Sequence, residues 1–194
     1  MEELFNEYQL KFDELNILGQ AVIDTIEGLE SKSEKIQAAN DYILSFLVDA
    51  YLLGSRHVSS MLDYQADTSI QLMNRAIYER IDGETFEDRV ATHISNNDMN
   101  ALYLLIGDEY HRVYSYGAED TAQQVADKGY SVFKTWNTVG DDKVRDTHRY
   151  IDLQTKSIDE DFYTYDGDHA SRPGGFELAQ NNCGCRCWLT YTRI

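Results

Sequence analysis

The sequence of 194 residues contains a single proline, three cysteines and no long uninterrupted apolar run. One proline excludes collagen-like and proline-rich chains, and an apolar share of 42% excludes a disordered one. A membrane span needs roughly 18 consecutive apolar residues, so we expect no membrane contact. The start, Met1-Glu2-Glu3, is acidic where a secretion signal is basic, and we therefore expect the protein in the cytoplasm.

The three cysteines, Cys183, Cys185 and Cys187, are clustered near the end of the sequence. A cluster this tight is not a disulfide framework, which needs paired cysteines spread along the chain. Two interpretations remain open, namely zinc ligands and small buried thiols. In the first, Cys185 and Cys187 point to the same face of a strand and are joined by His148 or His169.

Basic side chains are half as many as acidic ones, 17 against 34, which leaves a net charge of -17 at pH 7. Such a surface repels nucleic acid, so any DNA contact is expected to be weak and confined to the basic residues of the second half. The basic residues expected to make that contact are Lys128, Lys134, Lys143, Arg145 and Arg149. The acidic face of residues 1–53 has two interpretations, a solvated surface or a surface that selects a basic partner.

Apolar residues recur at three- and four-residue steps through the first two-thirds of the chain, which predicts helices. The predicted helices cover 4–29, 31–54, 67–81, 85–94 and 97–129. Ser31 and Glu34 have the spacing of a capping box, and Gly129 is typical of a helix end. We predict an acidic helical region over 1–130.

The remaining residues have a different pattern, with short runs typical of strands. Residues 132–136 and 185–192 favour strands, and an aromatic segment around Phe162 lies between them. We predict an α+β fold, in which a helical bundle is followed over 131–194 by a small mixed or antiparallel sheet. The sheet is expected to contain the strand of Lys134, the Phe162 region and the terminal strand.

Five short motifs follow one another in the second half of the chain. They are Asp108-Glu109-Tyr110-His111-Arg112, Lys134-Thr135-Trp136, the segment 142–148 with Arg145 and His148, Pro173-Gly174, and Asn182-Cys183-Gly184-Cys185-Arg186-Cys187. Their order and spacing resemble those of the phage Mu protein F-like minor head proteins, the phage head morphogenesis family. Two departures are Asp108, which stands where the family has threonine, and a residue pair inserted in the terminal Asn-Cys-Arg-Cys motif.

The resemblance implies a phage or prophage minor head protein that acts in head morphogenesis and capsid assembly. Such a protein associates with the portal protein and other head components, and aids DNA packaging or ejection. It would lie in the virion head, and in the host cytoplasm during assembly. We expect no catalytic residue and no cofactor, apart from the zinc that the Cys/His pattern makes a candidate. The residues that match are expected to be structural, with Lys134, Trp136, Arg145 and His148 tying the first strand to the next helix.

An alternative follows from the same resemblance, because the family's C-terminal region is similar to the ADP-ribosyltransferase fold. An NAD-dependent transferase would use Arg112 for phosphates, Thr135 on a middle strand and Glu177 near the acceptor. No Ser-Thr-Ser or Glu-x-Glu segment accompanies them, so we predict a degenerate, non-catalytic version of that fold. The simpler interpretation of Glu109 and Arg112 is a surface ion pair on one helix.

Overall fold

The computed structural model describes residues 17–194, so the predicted beginning of the first helix lies outside the described residues. The helices are α1 (17–27 as described), α2 (Lys32–Met61), α3 (Ile70–Ile77), α4 (Phe86–Ser95), α5 (Met99–Asp127), α6 (Asp146–Ile151) and α7 (Ala179–Asn182). The strands are β1 (Val132–Asn137), β2 (Thr155–Ser157), β3 (Phe162–Tyr163), β4 (His169–Ala170) and β5 (Trp188–Arg193). From residue 17 onward, no helix is both long and apolar enough to span a bilayer.

Local side-chain signals determine where the long helices begin. Ser31 caps α2 and forms the predicted capping box with Glu34, since each side chain accepts the backbone N–H of the other residue. Asp98 caps α5 by accepting the N–H of Ala101. The prediction of a helix over 67–81 was wrong at both ends, because α3 begins after its N-cap Ser69 and ends at Ile77.

The predicted end of α2 at Gly54 was also wrong, since the helix continues to Met61. Gly54 lies where α2 crosses α5, and a Cβ at this position would clash with the Tyr114 carbonyl oxygen. A glycine inside a helix weakens it slightly but lets a second backbone approach closely. This residue therefore serves helix packing and does not terminate the helix.

The main sheet is antiparallel and has the strand order β2-β1-β5. β1 pairs with β5 along its whole length, from Val132 opposite Arg193 to Asn137 opposite Trp188. The α+β prediction is confirmed, but the Phe162 region does not join this sheet. That region is β3, which pairs with β4 in a separate two-stranded ribbon. The position beside β1 is taken by β2, a short strand that follows α6 and pairs with β1 in antiparallel orientation.

Helix α5 is shared by two apolar cores. Its first half packs with α1 to α4, and its second half packs against the sheet and the ribbon. The residues it contributes are Leu102, Leu105, Ile106, Val113, Tyr114 and Tyr116 to the first core, and Ala118, Ala122 and Val125 to the second. The segment that carries the cysteines lies against the middle of this helix, where His111 bonds the Cys187 carbonyl oxygen.

Candidate functional site

Three side chains of the kind that bind zinc converge next to α6. His148 comes from α6, and Cys185 and Cys187 come from the extended segment that precedes β5. The His148 Nδ1 atom lies 3.3 Å from the Cys187 Sγ and 3.6 Å from the Cys185 Sγ. All three residues are buried, and their ligand atoms lie within 4.8 Å of one another. We call these three residues the Cys/His cluster.

The strand predicted to carry the cysteines begins later than expected, at Trp188. Hydrogen bonds to the backbone hold the preceding segment in place instead. The Arg145 guanidinium donates to the Cys183 carbonyl oxygen, and His111 Nε2 lies 2.8 Å from the Cys187 carbonyl oxygen. The side chains of Cys185 and Cys187 are thus buried although neither residue belongs to a β-strand.

Aromatic rings form the walls around the imidazole of the cluster. The Trp136 ring meets His148 edge-on at 5.7 Å between centroids, and Phe176 stacks on His148 at 5.3 Å. The Trp136 indole N–H lies beside Cys187, where it partly opposes the rise in the pKa of that thiol that the bond to Cys185 and burial cause. Two residues of the family motifs, Trp136 and His148, therefore meet at this site.

The electrostatics of the cluster favour a thiolate on one of its sulfur atoms. The hydrogen bond between the two thiols lowers the pKa of Cys185 well below its ordinary value, and His148 adds to this effect. The same bond and burial raise the pKa of Cys187. The pair therefore loses its first proton more readily than an isolated buried thiol does.

Two residues considered for this site do not join it. Cys183 is exposed, and burial raises the pKa of its thiol. His169 lies on the two-stranded ribbon, where its Nδ1 is 2.9 Å from the Asp161 carboxylate and its ring stacks on Tyr163. Of the two alternative histidines, His148 meets the cysteines and His169 does not, because β3 and β4 form a ribbon of their own.

The Glu109–Arg112 pair is buried, so the surface ion pair predicted from its spacing was wrong. The Arg112 guanidinium lies 2.8 Å from Glu109 and 2.9 Å from Glu79, and it also donates to the Ala76 carbonyl oxygen at 2.7 Å. Arg89 approaches Glu109 from α4 at 3.0 Å. These partners come from α3, the loop after it and α4, whose packing on α5 covers the pair.

A second ionic cluster consists of Arg172 and Lys134 around Glu119. It was not predicted from the sequence. Arg172 lies 2.8 Å from Glu119, and its guanidinium stacks 3.3 Å above the Tyr116 ring. Lys134 is fully buried with its ammonium 3.8 Å from Glu119, and burial lowers its pKa. Lys134 is therefore not available for DNA phosphates, which corrects the expectation for this residue. No local pattern could have revealed Arg172, because it lies in an irregular loop.

A cleft of about 500 Å³ opens between α4, α5 and the Cys183–Gly184 turn. Asp108 lies in its wall and accepts the Gly184 N–H at 2.7 Å. Burial raises the pKa of Asp108 to about 6, although the bond from Gly184 opposes this effect. Asp108 is thus a carboxyl group that titrates near neutral pH next to the cysteine motif.

Comparison with known proteins identifies relatives for most of the described chain. The family model described as phage Mu protein F like protein matches residues 70–190. The minor head protein GP7 of Bacillus phage SPP1 is 35% identical over 83 residues, which is 43% of this chain and 27% of that protein. The NAD(+)--arginine ADP-ribosyltransferase EFV of Enterococcus faecalis is 26% identical over 152 residues, 76% of this chain and 30% of the relative. The chain thus spans less than a third of either relative, and no solved structure matches it significantly.

Proposed function

This chain belongs to the phage Mu protein F-like family, and from that premise we propose that it is a minor head protein of a phage or prophage. In this proposal it acts in head morphogenesis by docking on the portal protein, and it aids DNA packaging or ejection. The observation that carries the proposal is the family match over 70–190, joined by the likeness to minor head protein GP7. Its place is the virion head, and the host cytoplasm during assembly.

The docking surface that we propose is the acidic face of α1, α2 and the turn between them. Its acidic residues are all exposed, and they are Asp24, Glu27, Glu30, Glu34, Asp41 and Asp49. Charge complementarity of this kind selects a partner with a basic surface and accelerates association. The same charge disfavours nucleic acid, so direct DNA binding is a minor part of the proposal.

The C-terminal layer provides the rigid support for that surface in this proposal. β5 is bonded to β1 over six residue pairs, and Trp136 is buried beneath the sheet. Docking by preformed surfaces needs no organic cofactor. Zinc is a candidate cofactor, which the Cys/His cluster of the described residues would hold.

A catalytic role as an NAD-dependent ADP-ribosyltransferase has one finding in its favour, the likeness to the Enterococcus faecalis enzyme. Its proposed phosphate ligand, Arg112, already binds Glu109, Glu79 and two backbone carbonyl oxygens. The Thr135 hydroxyl is 2.8 Å from that of Thr155. Since a guanidinium with four protein acceptors has little capacity left for a dinucleotide, we favour the docking role.

Co-expression with the portal protein encoded nearby, followed by size-exclusion chromatography with mass determination, tests the docking role. We expect co-elution at a fixed ratio, and loss of co-elution in the double variant Asp41→Lys/Asp49→Lys. Asp142→Lys is the matched control, because Asp142 is an exposed acid in the loop before α6. Separate elution of the wild type, at low salt and with procapsids as well, would overturn portal docking. Saturable NAD binding by the same preparation would then favour the transferase.

A further inference from the structure

We propose that His148, Cys185 and Cys187 bind one Zn²⁺ ion with a water molecule as the fourth ligand. The site goes beyond the docking role and would be present whether or not the portal is the partner. Two thiolates and one imidazole are the soft and intermediate donors that zinc prefers, whereas Mg²⁺ and Ca²⁺ select oxygen. The chemistry of the three ligand atoms alone therefore favours zinc over Mg²⁺ and Ca²⁺.

The distances within the cluster fit a tetrahedral ion. Zinc bonds of about 2.3 Å to sulfur and 2.0–2.1 Å to nitrogen place the nitrogen and sulfur atoms roughly 3.5 Å apart. The His148 Nδ1 lies 3.3 Å and 3.6 Å from the sulfur atoms of Cys187 and Cys185. Both distances are close to that value, so Nδ1 can share one ion with either sulfur atom, and the two sulfur atoms lie no more than 4.8 Å apart.

Packing and one nearby N–H group hold the ligand side chains of the cluster in place. Ligand residues of metals are usually fixed by hydrogen bonds and packing from a second layer of residues. Trp136 and Phe176 hold the His148 ring from two sides, and the Trp136 N–H lies beside the Cys187 sulfur. An N–H group in this position stabilises a metal-bound thiolate.

A small cavity beside the cluster has room for the fourth ligand. It measures about 10 Å³ and is lined by His148 and Cys187 together with Arg145 and Arg186. That volume holds about one water molecule. Cys183 does not supply this ligand, because its side chain is exposed and its carbonyl oxygen is held by Arg145.

The ion would join two parts of the chain that are distant in sequence. His148 and Cys187 are 39 residues apart, and zinc would fasten α6 to the segment that leads into β5. Because the binding site is absent from the unfolded chain, the binding free energy of the metal stabilises the fold. A protein that must hold its shape in an assembled particle gains rigidity from such a link.

The test is elemental analysis of the full chain after dialysis against zinc and then against metal-free buffer. We expect one zinc per chain in the wild type and in Cys183→Ser, and less than a tenth of that in Cys187→Ser. Removing zinc with a chelator should lower the Tm of the wild type by about 5 °C or more. A wild type that retains no zinc, with two buried thiols that react after unfolding, would overturn the proposal.

Cobalt replacement keeps the proposal testable even if Cys187→Ser does not fold. Co²⁺ added to the metal-free wild type should produce a cobalt–thiolate absorption band that saturates at one equivalent and is unchanged in Cys183→Ser. The band should shift when a small anion such as azide is added, because the anion replaces the water. An unchanged band would overturn the water ligand, and the absence of a band would overturn the site.

Discussion

Gly117 on α5 lies against the Tyr51 carbonyl oxygen of α2, so close that a Cβ on the glycine would clash with it. Gly54 on α2 has the same relationship to the Tyr114 carbonyl oxygen on α5. Each helix therefore contributes one glycine to the crossing, and the two backbones meet almost directly. This contact fixes the position of α5, from which Asp108, Glu109 and Arg112 project.

Replacement of Gly117 by alanine is expected to destabilise the protein by about 3 kcal/mol, because the helices must separate to admit the methyl group. Gly107 is the matched control on the same helix, since a Cβ there meets no atom within 4 Å. Gly107→Ala should stabilise the protein by about 0.5–1 kcal/mol through helix propensity. Urea unfolding measures both changes, and equal stabilities of the two variants would contradict the close crossing.

Arg112→Lys should destabilise the protein by about 3 kcal/mol despite keeping the charge. A lysine cannot reach Glu109, Glu79 and the Ala76 carbonyl oxygen together, so buried acceptors lose their partners. Arg75→Lys is the control, because Arg75 is 57% exposed in its ion pair with Asp120 and should change stability by less than about 1 kcal/mol. Chemical denaturation compares the two, and a loss in Arg112→Lys as small as in the control would refute the buried pair.

Asp108 should make the protein less stable as the pH rises from about 4 to 6. Burial raises its pKa from 3.8 to about 6, so in this range the folded chain retains a proton that the unfolded chain has lost. The resulting loss in the free energy of unfolding is roughly 3 kcal/mol. Asp108→Asn keeps an acceptor for the Gly184 N–H and should lack this loss. The measurement is the free energy of unfolding of the wild type and of Asp108→Asn as a function of pH. If Asp108 titrated normally, the difference between the two proteins would not change with pH.

Lys134→Met is expected to leave stability unchanged or to raise it by about 1–2 kcal/mol. The Lys134 ammonium is fully buried, lies 3.8 Å from Glu119 and has a pKa lowered by burial. Glu119 keeps its closer partner, Arg172, in this variant. Arg172→Met should instead cost about 3 kcal/mol, because it removes that partner and the contact with Tyr116. Thermal unfolding measures the stability of both variants. If Lys134→Met lost more stability than Arg172→Met, Lys134 rather than Arg172 would be the main partner of Glu119.

Some features of the fold were predictable because their causes are local. The capping box of Ser31 and Glu34 and the cap at Asp98 involve residues within three positions of each other. Gly54 shows the limit of such reasoning, since its role depends on α5, about sixty residues later. The Phe162 region was assigned to the wrong sheet for a related reason, because strand propensity does not specify a partner.

The sequence by itself determined the α+β class, the positions of most helices and the family, because periodicity, caps and motif order are properties of the chain. Only the tertiary structure decided that Glu109, Arg112 and Lys134 are buried, and that His148 rather than His169 meets Cys185 and Cys187. Burial and ligand convergence depend on contacts between residues distant in sequence. Those contacts follow from how α3 and α4 pack on α5 and how α6 packs beside the terminal segment.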